Sequence, residues 1–212
     1  NTTNLTAVDL MNGAATMAVT GNINVSNGST ANFANGGGTL TVGGSVTVSN
    51  TASVNFGNAA GANTTTINGA INLNSTGTSV LSNTSGSTQV VSAGSFSQTA
   101  GTFNMATGTG GSTLRISGAF NQSGGTIGNT GTGVPTIEFN GSSSQNVTFT
   151  NAMTGSINVR VNNASGINLT GPLAINASST LTVSNGNITG SGSIAYNATS
   201  GTLLYNSTTG AQ

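Results

Sequence analysis

The chain has 212 residues and almost no charge: its only fixed charges are Asp9, Glu138, Arg115 and Arg160, and Lys, His and Cys are absent. Two arginines cannot neutralise a phosphate backbone, so nucleic acid is not an expected partner. Without His or Cys, neither a Ser-His-Asp or Cys-His arrangement nor an ordinary transition-metal site can be assembled, and no disulfide can staple the fold.

Val, Ile and Thr recur at regular intervals, which argues against disorder. No run of 18 apolar residues is present to span a bilayer. No basic segment followed by an apolar core reads as a secretion signal, so an exported protein is expected to have lost it.

Taken in order, residues 1–16 read as an N-terminal cap or an irregular first rung. Thr6-Ala-Val-Asp9 resembles a capping box ahead of Leu10 and Met11, with Gly13 as a stop, so one helical turn is an option there and an extra strand is the other.

Residues 17–133 carry a repeat. Val42-Gly-Gly-Ser-Val46-Thr-Val48, followed by Val54-Asn-Phe56, alternates apolar with small polar residues, the signature of half-buried strands. Val19 to Phe33 matches it one rung earlier, and Ile67 to Leu73 matches its first half one rung later. Phe96-Ser-Gln and Phe120-Asn-Gln match one another, again a rung apart. Three short strands with corners, at about 22 to 25 residues per rung, predict an all-β, parallel, three-sided β-helix, that is, a β-solenoid of about nine rungs and roughly 40 Å. Val42, Val46, Val48, Val54 and Phe56 are expected inside; Thr41, Thr47 and Asn55 are expected outside.

The corner triplet apolar-x-Gly recurs at Val19 to Gly21, Val42 to Gly44, Ile67 to Gly69, Ile116 to Gly118, Leu169 to Gly171 and Ile188 to Gly190. Glycine at such bends allows positive φ and close backbone approach. Asn-Gly pairs at Asn27, Asn35, Asn68, Asn140 and Asn185 mark further turns. Gln98 and Gln122 fall at the normally apolar position of Val48, where their amides are expected to bond to each other as a ladder; the alternative is that they face a corner through a local one-residue slip of register.

Residues 134–212 continue the solenoid from Pro135, a residue suited to a strand start. Arg115, Glu138 and Arg160 are each flanked by inward residues and lie one rung apart, which predicts an outer column of plus, minus, plus worth about 0–1 kcal/mol per pair. Thr136 to Asn140 is echoed three rungs on by Thr202 to Asn206. Leu169 matches Val42 by its corner motif, whereas the column of 40/42, 114/116, 137/139, 159/161, 181/183 and 203/205 requires Leu181 there. An inserted loop or a change of corner is therefore expected near 139–169. Gly201 to Gln212 carries no cap, as a stack open to further pairing would.

No catalytic, cofactor-binding or metal-ligating residue is assigned, and neither an enzyme nor a cofactor is expected. Glycoside hydrolysis needs two carboxylates roughly 5–10 Å apart, and Asp9 and Glu138 are far apart in the chain. Gly36-Gly-Gly-Thr-Leu-Thr lacks the Asp of a calcium-binding β-roll. Triplets of the Asn-x-Ser/Thr type, such as Asn24, Asn74, Asn146 and Asn197, arise by chance in such a composition.

Ile137-Glu-Phe-Asn-Gly-Ser-Ser-Ser-Gln145, Asn162-Asn-Ala-Ser-Gly-Ile-Asn-Leu-Thr-Gly171 and Leu181-Thr-Val-Ser-Asn-Gly186 resemble the repeats of large secreted surface proteins of Bacteroidetes-type bacteria. The earlier rungs are similar to filamentous-adhesin and autotransporter-like β-helices. The resemblance implies an extracellular, cell-surface, non-enzymatic stalk, sheath or adhesin segment. The rod is expected to continue end to end, with identical copies in a filament or with more of the same chain, and cell-surface or polysaccharide contacts are the other expected partners. The alternative is a binding module for a polysaccharide or another repetitive surface. Ice is disfavoured because the outward column read for the second strand, Asn24, Thr47, Asn72, Ser97, Asn121 and Ala174, holds no repeated Thr.

Overall fold

A computed structural model describes residues 7–58, 60–83, 88–196 and 200–206. Thr6, the start of the 1–16 segment, Asn197 and the tail beyond Asn206 lie outside the described residues. Strand β1 (Ala7–Asp9) precedes a first complete turn of β2 (Thr16–Val19), β3 (Ile23–Val25) and β4 (Thr30–Asn32). The second turn is β5 (Gly38–Val42), β6 (Val46–Asn50) and β7 (Ser53–Gly57). In the third, β8 (Ala62–Ser75) runs unbroken through the first corner before β9 (Thr78–Ser82); the fourth repeats this with β10 (Thr88–Gln98) and β11 (Thr102–Asn104).

The fifth turn returns to three strands, β12 (Ser112–Ile116), β13 (Phe120–Gln122) and β14 (Thr126–Gly128). The sixth has β15 (Thr136–Phe139) and β16 (Gln145–Phe149), with only a bridge from Gly128 to Thr154 on the third side. The seventh is β17 (Asn158–Asn162), β18 (Ile167–Thr170) and β19 (Pro172–Ile175). The eighth is β20 (Thr180–Asn185), β21 (Ile188–Gly190) and β22 (Ser193–Tyr196), and β23 (Thr202–Tyr205) begins a ninth.

Every strand pairing is parallel, and on the first side each strand pairs with its counterpart in the next turn. The chain is a three-sided β-solenoid of about eight turns. On the first side the step between partners is longest from turn three to turn four, Ala62 to Thr88, and shortest in the last turns, as from Val159 to Leu181. No helix is present among the described residues, so none is long and apolar enough to cross a membrane. The N-terminal capping-box reading gives way to a strand: Ala7–Asp9 pairs with Thr30–Asn32 on the third side, where a helical turn would forfeit the ladder.

The alternation builds the core directly. Val42, Val46, Val48, Val54 and Phe56 have no exposed surface. Stacking extends each into a column, such as Leu40, Thr65, Val91, Leu114, Ile137 and Val159. Each fully buried Val, Leu, Ile or Phe contributes about 1.5–3 kcal/mol. All seven phenylalanines join one internal spine, with neighbouring ring centroids from 4.8 Å (Phe96 to Phe120) to 6.5 Å (Phe56 to Phe103). Edge-to-face and offset rings at such distances add about 0.5–1.5 kcal/mol per pair beyond burial.

The corner glycines act by close approach. A Cβ on Gly44 would stand 2.9 Å from both the carbonyl carbon and oxygen of Gly21 in the turn before, and Gly69 sits likewise on Gly44. Positive φ, allowed for in the sequence reading, is not used at these positions. Gly171 (φ 81°) and Gly190 (φ 106°) do adopt it, but at a different bend, between the second and third sides. Asn68-Gly69 is likewise no turn: it lies inside β8.

That difference resolves the conflict over Leu169. Leu169 pairs with Val147 and so continues the column of Val46, while Leu181 and Val183 continue that of Leu40 and Val42. The apparent match to Val42 is one side out of phase. The change of corner begins in turn six: residues 140–146 separate Phe139 from Val147, where 117–119 separate Ile116 from Phe120. The third side shortens in compensation, with residues 150–157 joining β16 to β17 against 123–135 joining β13 to β15. Pro135, whose ring removes a donor, stands just before β15.

The widened corner is knitted by Gln145 and Asn163, whose roles the sequence reading missed. Gln145 Oε1 accepts from Gly141 N and Asn163 Nδ2 at 2.8 Å each, and its Nε2 donates to the Ile116 and Gly118 carbonyls at 2.8 Å each. Asn163 also caps the bend, donating to the Ser143 carbonyl and accepting from Ser165 N.

Candidate functional surfaces

Outward residues of the first side form two columns. The inner one brings Arg115, Glu138 and Arg160 into register on β12, β15 and β17. Arg115 Nε donates to Glu138 Oε2 at 3.1 Å, forming an ion pair. Glu138 is buried although it points outward, and its other oxygen accepts from Asn162 Nδ2 at 3.1 Å.

Arg160 turns away, and its Nε donates to Ser184 Oγ at 3.2 Å in the turn beyond. The expected alternation of plus, minus, plus is therefore one ion pair and one amide bridge. Asn162, farther along the same outer face, supplies the donor to the second Glu138 oxygen that was expected from Arg160. Beside this column a shallow cleft of about 220 Å³ opens at the first corner, lined by Thr66, Asn68, Ser92, Arg115, Ser117 and Asn140. It offers one guanidinium among hydroxyls and amides. Its lining holds no carboxylate to act as acid or base.

The other column is threonine-rich. Thr16, Thr39, Thr64, Thr113, Thr136, Thr180 and Thr202 follow one another on the first side, interrupted by Val90 and Asn158. Thr41 and Thr66 lie beside Thr39 and Thr64 and extend the array sideways. The second-side column is Asn24, Thr47, Asn72, Ser97, Asn121, Thr148 and Thr170. Ala174, assigned to it from sequence, belongs to β19 on the third side. The Thr column lies on the first strand of each turn, so the mixed column of the second strand carries no sign of it.

Inside the stack Gln98 and Gln122 are fully buried and paired in register, as expected. Their amides do not bond to each other. Gln98 Nε2 donates to the carbonyls of Ala100, Gly101 and Thr126 at 3.1–3.3 Å, and Gln122 Nε2 to that of Gly125 at 3.2 Å. Both side chains face a tight corner where carbonyls converge, and a nearby carbonyl outcompetes an amide in the next turn.

At the last described turns the core is open. Ile194, Tyr196 and Leu203, on inward columns, are 37%, 46% and 53% exposed, whereas Leu204, 45% exposed, lies on the outward column of Arg160 and Thr182. Around them lies a groove of about 590 Å³ lined by Leu181, Val183, Ile188, Ile194, Leu203 and Tyr205, with Asn187 at its rim. Among the described residues β23 pairs with β20 alone, leaving its other edge without a strand.

Among the described residues no three His, Cys, Asp or Glu side chains gather where a metal ion could be held. No protein-family model, curated protein or solved structure matches the chain.

Proposed function

We propose that this chain is a length of extracellular structural or adhesive rod whose copies stack end to end. The open edge carries the reading: β23 offers parallel hydrogen-bonding groups, and Leu203 and Tyr205 prolong the inward columns of Leu181 and Val183. At the opposite end Met17 and Val19 of β2 head those same two columns and are only partly buried. A second copy docked head to tail would set Met17 and Val19 on Leu203 and Tyr205, continuing the stack without a new kind of contact. Such a heterologous contact propagates and does not close. The likeness of residues 134–212 to repeats of secreted surface proteins supports an extracellular setting.

Sedimentation velocity and electron micrographs over a wide concentration range test the reading. Rods of constant width that lengthen with concentration are expected. Leu203→Asn combined with Tyr205→Asn is expected to abolish lengthening while the β-type circular dichroism persists. Dispersed single rods at every concentration would overturn it.

One observation favours a second reading, a face that binds a repetitive solid surface. The paired Thr39/Thr41 and Thr64/Thr66 lie about 4.8 Å apart between turns and about 6.5 Å apart along each strand, a regular hydroxyl array. The flanking Arg115, Glu138 and Arg160 interrupt it farther along. Thermal hysteresis, or co-sedimentation with insoluble polysaccharide that Thr64→Tyr abolishes, is the expected sign. Rods that assemble normally and bind neither surface would leave only the first reading.

A further inference from the structure

The third and fourth turns are built differently inside from the second. Turn two fills its inward positions with Leu40, Val42, Val46, Val48, Val54 and Phe56. Turn three places Asn63 and Thr65 on the first side and Ser75 and Ser79 farther round, all buried, and turn four adds Gln89 and Gln98. Register sets Asn63 against Gln89, yet neither satisfies the other. Both amide atoms of Asn63, Oε1 of Gln89 and Oε1 of Gln98 have no hydrogen-bond partner within the protein, and among the described residues no other buried side-chain nitrogen or oxygen shares that state. Gln89 Nε2 reaches Thr65 Oγ1 only at 3.4 Å.

Polar burial alone is not the weakness, since Gln145 is equally buried and fully bonded. The missing partners are. Each orphaned buried group costs about 1–3 kcal/mol, and a low-dielectric interior sharpens the penalty.

Two further observations fall at the same place. The β8 to β10 ladder slips by one residue between Ala93 and Ser95. Turn three supplies no phenylalanine, so the spine bridges it by its longest gap, the 6.5 Å from Phe56 to Phe103. In a solenoid each turn touches only its neighbours, and stability is close to a sum of turn and interface terms. A deficit at one interface is not shared along the stack.

We infer that the junction of turns three and four is a built-in yield point, where the rod opens first and divides into an N-terminal block and a longer C-terminal one. The inference does not depend on end-to-end assembly or on surface binding. Hydrogen exchange on the intact chain tests it. Amides of β8 and β10 are expected to exchange at least about 10-fold faster than those of β12 and β15, from one orphaned group or more. Equal or greater protection of β8 and β10 would overturn it. Asn63→Leu with Gln89→Met removes the orphans at similar volume and is expected to close most of that gap. A folded double variant whose gap is unchanged would also overturn it, and if the double variant fails to fold, exchange in the unaltered chain still decides.

Discussion

Glu138 occupies an outward position that the stack nevertheless covers, and it holds one donor from each adjoining turn, Arg115 and Asn162. Arg115 is 44% exposed, so the ion pair itself is screened and contributes little; the larger part is the loss of two bonded donors around a buried carboxylate. Glu138→Ala is expected to lower stability by about 1–2 kcal/mol, read as a lower urea midpoint. Arg160→Ala, at an exposed site bonded only to Ser184, is expected to stay within about 0.5 kcal/mol. Alternation in the sequence located Arg115, Glu138 and Arg160 on one face, because strand period fixes which way a side chain points. It could not choose between Arg160 and Asn162 as the partner, since that depends on side-chain reach between turns. Gln98 and Gln122 repeat the lesson: their burial was legible, their bonding to corner carbonyls was not.

At the scale of the element, the first corner decides how closely turns stack. Gly21 and Gly44 occupy the same corner position in successive turns, and neither uses a left-handed φ. An added Cβ on Gly44 meets Asn22 Oδ1 and then the Gly21 backbone, whereas one on Gly21 meets nothing within 4 Å. Gly44→Ala is therefore expected to cost about 1–3 kcal/mol through forced backbone shifts, and Gly21→Ala to remain within about 0.5 kcal/mol, compared by urea midpoint. Equal costs would show that chain flexibility, not the approach of the turn beneath, sets the requirement for glycine. The motif apolar-x-Gly found this corner at Gly21, Gly44, Gly69 and Gly118 but joined Gly171 and Gly190 to it wrongly. All three sides share the same apolar alternation, so a motif carries no label for the side it belongs to, and only the full register supplies one.

For the whole molecule, the repeat was enough to give the fold class, because a chain of short alternating strands at near-constant spacing buries its apolar residues only by stacking. The surfaces were less legible. The Thr column depends on adding register steps over many turns, and the open edge depends on which strands have neighbours. No charged residue lines the groove around Leu203 and Tyr205. The end-to-end assembly proposed above is therefore expected to persist when salt is raised, unlike an association steered by charge.

Tyr196 and Tyr205 are the only tyrosines, the chain has no tryptophan, and both stand at the open edge. Near-ultraviolet absorbance and fluorescence above the phenylalanine band consequently originate from that end alone. The rod carries its own optical label there: quenchers in solution read whether the edge is covered, while the phenylalanine spine, dark at those wavelengths, leaves the signal free of the interior.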